Sequence, residues 1–133
     1  MYIRHETGKI GEDLACEYIL KKNFEIIERN FRCKIGEIDI IAKDKDELVF
    51  IEVKTRSQNK YGNPSDAVDK YKKKHIYHAA EYYMMINRIE NVFCRLDVME
   101  VFMYDSGTKI NYLKNCILEK PHRKFYIEEE NAL

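Results

Sequence analysis

The chain has 133 residues, 45% hydrophobic and 35% charged, which is the size and balance of one domain with a buried core. That composition excludes a disordered tail, and no stretch approaches the roughly 20 apolar residues of a membrane-spanning helix. Charge is balanced at 23 basic against 23 acidic residues, which argues against a nonspecific nucleic-acid coat unless the charges are segregated.

They are segregated. From Glu37 to Glu52 there are six acidic and two basic residues, and from Lys54 to His78 seven basic and two acidic. A concentrated acidic stretch beside a basic arm suits a metal site next to a polyanion groove, and equally suits two solvated surfaces. The opening MYIRHETGK has neither an apolar core nor a small-residue cleavage site, so no signal peptide and a cytoplasmic location are expected.

In chain order, Thr7 is placed to cap a helix from Lys9 to Lys22, with Ile10, Leu14, Ala15, Tyr18 and Ile19 at helical spacing and Asn23 as its stop. An extended segment follows from Phe24 to Phe31. KIGEIDIIAK (Lys34 to Lys43) and LVFIEV (Leu48 to Val53) are rich in β-branched residues and flank the polar turn Asp44-Lys45-Asp46-Glu47, which predicts a hairpin. A polar loop from Thr55 to Asn63 leads to a second helix opened by Pro64 and Ser65. Its apolar positions include Tyr71, Ile76, Ala79, Ala80 and Tyr83. Strands from Val92 to Tyr104 and from Lys109 to Leu118 flank a turn at Asp105-Ser106-Gly107. This order predicts an α/β fold: a mixed sheet of about five strands flanked by helices, α-β-β-β-α-β-β. Residues 1–118 form the expected single domain and 119–133 a C-terminal tail.

Cys16, Cys33, Cys94 and Cys116 contain no CxxC and are expected to be buried thiols. His75 and His78 follow three lysines and are expected at the surface. Tyr77, Tyr82 and Tyr83 read as core or interface rather than base-stacking platforms.

The hairpin carries the chemistry. With the turn centred between Lys45 and Asp46, paired residues sum to 91, placing Asp39 opposite Glu52 and Glu37 opposite Lys54. Alternation then sends Glu37, Asp39, Glu52 and Lys54 to one face, and Ile38, Ile40, Ile51 and Val53 to an apolar wall on the other. Like charges directly opposite one another are destabilising. A divalent cation removes that repulsion, and Mg²⁺ favours one or two carboxylates with water and phosphate oxygens. Lys54 would stand beside it. The same spacing also suits an amphipathic hairpin with a solvated polar face and a Glu37–Lys54 ion pair. Arg56 and the Lys70 to Lys74 segment, including Lys70 and Lys73, are candidate phosphate contacts or a solvated helix face.

Asp39 followed by Glu52-Val53-Lys54 resembles the PD-(D/E)xK motif of restriction-endonuclease-like nucleases, whose order of elements, α-β-β-β-α-β, is the one read above. Gly36-Glu37-Ile38-Asp39-Ile40-Ile41-Ala42 and Phe50-Ile51-Glu52-Val53-Lys54-Thr55-Arg56, with Gly11-Glu12 and Arg29-Asn30-Phe31-Arg32, look like the bacterial YraN-type family, which is similar to archaeal Holliday junction resolvases. The resemblance covers Lys9 to Leu118. Ile38 stands where the short nuclease motif often has proline. The resemblance implies Mg²⁺ or Mn²⁺ held by Glu12, Asp39 and Glu52, with Asp39, Glu52 and Lys54 as the catalytic set. Glu12 and Phe24 have the spacing that separates the first-helix glutamate of the resolvases from the phenylalanine opening strand one; a carboxylate near a helix N-terminus also interacts favourably with the dipole. The expected activity is hydrolysis of DNA, including branched DNA, by a homodimer. The alternative is a nucleic-acid-binding module that keeps the nuclease fold without cutting alone.

Overall fold

In the computed structural model, which describes residues 2–57 and 70–115, the chain runs α1 (Tyr2–Lys21), β1 (Glu25–Arg32), β2 (Glu37–Asp44), β3 (Glu47–Ser57), α2 (Lys70–Ile86), β4 (Phe93–Tyr104) and β5 (Gly107–Leu113). The strands form one sheet in the order β1-β2-β3-β4-β5. Every neighbouring pair is antiparallel except β3 and β4, which run parallel on either side of the α2 connection. The mixed five-stranded sheet flanked by helices is therefore as expected.

Helix α1 begins at Tyr2, so Thr7 lies inside it and does not cap it. Threonine is a modest helix former and does not stop a helix already running. Its end is as read: Asn23 adopts φ 69°, its N–H bonds Leu20 O at 3.0 Å, and the Phe24 N–H bonds Ile19 O at 3.0 Å, a left-handed cap that satisfies the last carbonyls. The expected loop from Thr55 is also corrected, because β3 continues through Thr55 and Arg56 to Ser57, paired with β4 all the way. The expected start of the second helix at Pro64 and Ser65, the end of the last strand at Leu118 and the tail lie outside the described residues.

Two apolar clusters fill the two faces. Under α1, Ala15, Cys16 and Ile19 pack on Phe24, Ile40, Ala42, Val49, Ile51, Met99 and Val101. Under α2, Ile76, Tyr77, Ala79, Ala80, Tyr83 and Met84 pack on Phe31, Ile38, Ile41, Leu48, Phe50, Cys94, Leu96 and Val98. Gly11 lets α1 approach closely, since a Cβ there would lie 2.0 Å from Thr55 Oγ1. Cys16 and Cys94 are buried and Cys33 half-buried, all free thiols. His75 and His78 are half-buried rather than fully at the surface, with their Nδ1 atoms 3.0 Å from Ile35 O and 3.1 Å from Glu81 Oε1. Tyr77 and Tyr83 belong to the core. No helix among the described residues is long and apolar enough to cross a membrane.

The hairpin register sums to 91, as read, from Asp44↔Glu47 through Ile40↔Ile51. There it stops. The expected backbone pairs Asp39↔Glu52 and Glu37↔Lys54 do not form, and β2 turns away while β3 continues along β4. The supposed single apolar wall is divided at the same point, because Ile40 and Ile51 face α1 and Ile38 faces α2. Asn30 on the neighbouring strand, between the paired positions Arg29↔Ile40 and Phe31↔Ile38, takes φ 55° and marks the local change of path.

Candidate functional site

The parting of β2 and β3 leaves a backbone donor on β3 without its ladder partner, and a side chain takes the place of that partner. Asp39 Oδ2 accepts the Val53 N–H at 2.8 Å, which pins the carboxylate where the strands separate. Glu52, one residue earlier on β3, is buried at 5% exposure. Its Oε1 lies 3.9 Å from Lys54 Nζ, two residues along the same face of the strand. Two carboxylates and an ammonium thus meet at one end of the hairpin.

The electrostatics show the cost of this arrangement. Burial and, after it, the Glu52 charge push the Asp39 carboxyl up to about 7; the Val53 N–H opposes the rise, and the charges of Glu12 and Glu37 add to it. Two acids this close, with one ammonium 3.9 Å from Glu52, favour taking up a proton or a further cation. Among the described residues no three His, Cys, Asp or Glu side chains converge as a ready-made metal cage. The donor set is instead a carboxylate pair, which fits a hard cation that keeps part of its water shell.

Asp39, Glu52 and Lys54 are brought together. Glu12 reaches the same neighbourhood from α1, close enough for its charge to act on Asp39, but its Oε1 accepts a hydrogen bond from the Arg29 guanidinium at 3.2 Å. Arg29 also holds Asp13 at 2.7 Å, and with Lys9 it keeps the Asp13 carboxyl below the usual carboxylate range. Glu37 pairs with Arg32 at 3.4 Å, across the β1–β2 edge, and not with Lys54. Arg56 is half-buried on β3 opposite Phe102. Lys70 and Lys73 open α2, and their side chains lie outside the described residues.

Three charged residues of β4 were not singled out from the sequence. Glu100 is fully buried in the register position beside Lys54; its Oε1 accepts from Asn111 Nδ2 at 2.8 Å, and its Oε2 has no hydrogen-bond partner among the described residues. Arg95 and Asp97 are buried at the other end of the sheet. Arg95 donates to Asp97 at 2.9 Å, Glu47 at 2.7 Å and Asp44 at 2.9 Å. Asp97 also accepts from Tyr112 at 2.5 Å and from the Asn115 N–H at 2.7 Å. The signal was present in FCRLDVMEVFMY: a strand buried on both faces reads as a continuous apolar run, and charges that interrupt it need a partner or a purpose.

The family model described as "Uncharacterised protein family UPF0102" matches residues 11–101, a span that holds Glu12, Asp39, Glu52, Lys54 and Glu100. Among similar proteins, a UPF0102 protein of Caldicellulosiruptor saccharolyticus is 44% identical over 115 residues, covering 85% of this chain and 98% of that one. A UPF0102 protein of Clostridium botulinum (strain Loch Maree) is 47% identical over 118 residues, covering 86% and 96%. One from Clostridioides difficile (strain 630) is 46% identical over 111 residues, covering 84% and 96%.

Proposed function

This chain belongs to the UPF0102 family, and we propose that it is a metal-dependent DNA endonuclease whose centre is the carboxylate pair Asp39 and Glu52, with branched or otherwise structured DNA as substrate. The observation that carries this reading is the mutually repelling pair of half-buried Asp39 and buried Glu52 at the fork of β2 and β3, where the Asp39 carboxyl is pushed up to about 7. A fold selected for stability alone has no reason to keep two acids together where their charges repel; a site that takes up a cation has one. The likeness of the hairpin to the PD-(D/E)xK motif supports the same reading.

Asp39 and Glu52 would hold Mg²⁺ or Mn²⁺, with Glu12 free to join once it leaves Arg29. The ion would supply Lewis acidity to a phosphate oxygen and to a bound water. The chain's own contribution is positional. The Val53 N–H fixes the Asp39 carboxylate, β3 sets Glu52 and Lys54 on one face, and the Lys54 ammonium stabilises negative charge developing on the phosphate. Arg56, two residues beyond Lys54 on β3, and Lys70 and Lys73 would steer the DNA backbone by charge. Symmetric cuts in a branched substrate need two such centres, hence a homodimer working in the cytoplasm.

The Arg29–Glu12 ion pair supports a second reading, in which Glu12 is retained by Arg29 and the chain binds nucleic acid without cutting it alone. Cleavage of labelled linear, single-stranded and four-way-junction DNA with Mn²⁺, alongside Asp39→Asn and Lys54→Ala, tests both. Cutting that both substitutions abolish establishes the nuclease. Junction binding without cutting, surviving in both variants, establishes the binding module. Neither activity removes DNA from the reading.

A further inference from the structure

Glu100 is the one fully buried carboxylate of the described sheet with an oxygen left over. Its partner in the β3–β4 register is Lys54, and the pairing one step back along the same face is Glu52↔Val98. Side chains of directly paired residues lie on one side of a sheet, so Glu52, Lys54 and Glu100 share a face, continuing the row of Leu48, Phe50, Cys94, Leu96 and Val98 under α2. Asn111, opposite Glu100 on β5, takes up Oε1, and Oε2 has no hydrogen-bond partner among the described residues. Leaving such an oxygen buried is costly unless something occupies it in a working state of the molecule.

We infer that Glu100 is the seat to which the Lys54 ammonium moves when Glu52 takes up a metal ion, an inference that rests on the metal-binding reading of Asp39 and Glu52. In the structure Lys54 Nζ stands 3.9 Å from Glu52 Oε1. A divalent cation on that carboxylate repels the ammonium across a few ångströms of low dielectric. Lysine has a flexible four-carbon stem and donors that turn freely, so it can change partners without a backbone shift. The nearest carboxylate across the strand pair on its own face is Glu100, and the open oxygen is the vacant half of that carboxylate. The exchange puts the metal on Asp39 and Glu52 and one donor of the ammonium on Glu100, leaving its other donors for a phosphate oxygen. Glu100 is therefore a positioning residue acting through Lys54, and it lowers the cost of loading the centre.

The test is a double-mutant cycle on Mn²⁺ affinity measured by titration calorimetry on the full chain, with no DNA present. Glu100→Gln is expected to weaken Mn²⁺ binding about tenfold, because Lys54 then stays on Glu52 and competes with the ion. In a Lys54→Met background the same Glu100→Gln substitution is expected to change affinity by less than about twofold, since no ammonium remains to be seated. Glu100→Met, apolar and of similar volume, serves the same comparison if the amide disturbs packing, and far-UV circular dichroism confirms the fold of each variant. An equal loss in both backgrounds overturns the inference and makes Glu100 a direct participant or a packing residue. No loss in the Lys54-containing protein overturns it as well. A wild-type chain that takes up no Mn²⁺ overturns the metal reading itself, a different and separately visible failure.

Discussion

Asp39→Asn should stabilise the protein above neutral pH and do nothing for it in acid. Ionising Asp39 is harder in the folded chain than in the unfolded one, because its carboxyl rises from 3.8 to about 7 on folding. The folded state therefore binds more protons between these values, and stability falls as pH rises through that window. The protonated form's contribution is complete below 3.8 and gone above about 7. Each pKa unit corresponds to about 1.4 kcal/mol, so the ceiling is about 4 kcal/mol. Asparagine keeps an acceptor for the Val53 N–H but gives up the charge assistance of that bond, about 1 kcal/mol. A net gain of about 2–3 kcal/mol at about pH 8 remains, which for a chain of this length is about 10 °C in Tm. Thermal melts followed by far-UV circular dichroism at about pH 8 should show that gain, and melts well below the 3.8 reference should show the variant level with wild type. Excess Mn²⁺ should raise the wild type at the higher pH, by about 2.7 kcal/mol at a hundredfold over Kd, and leave the variant unmoved. An Asp39→Asn protein that melts no higher than wild type at the higher pH, or by the same margin at both, refutes the argument that the pair is strained.

Lys54→Ala should reduce the cleavage rate by about 10²–10³ while leaving DNA affinity far less affected, as seen by single-turnover kinetics beside a gel-shift titration. Gly11→Ala drives a Cβ to 2.0 Å from Thr55 Oγ1 and should cost about 1–3 kcal/mol in urea unfolding; adding Thr55→Ala should recover part of that loss, and no recovery would place the strain elsewhere. Arg95→Met strands the buried Asp97 carboxylate and should cost about 3–5 kcal/mol, measured as a lowered denaturation midpoint with unchanged m-value.

The hairpin was legible because two short-range signals agree there: alternation along KIGEIDIIAK and LVFIEV fixes the faces, and the polar turn fixes the sum of paired residues. Where the ladder ends was not legible. Asp39 replaces a backbone carbonyl as the partner of Val53, which depends on β3 being held along its other edge by β4 past the point where β2 leaves, a contact between segments some 45 residues apart in the register. The tie between Arg29 and Glu12 is hidden for the same reason, since seventeen residues separate them. Glu100 escaped notice because a charge in a strand reads as solvent-facing until helices are known to cover both faces. The early start of α1 is hidden because Thr7 suits a capping position, although nothing in YIRHE interrupts a helix.

Each end of the sheet brings acids near a base, in opposite states of closure. At one end Arg95 spreads its planar fork over Asp44, Glu47 and Asp97 and locks them with three short bonds. At the other, Lys54, a point charge on a flexible stem, stands 3.9 Å from Glu52 and beside the register position of Glu100. The difference between scaffold and site thus comes down to the shape of a cation. On the proposed metal-binding reading, Lys54→Arg, conservative by charge, should turn the second end into a copy of the first: guanidinium bridging Glu52 and Glu100, a higher melting temperature, and loss of Mn²⁺ uptake.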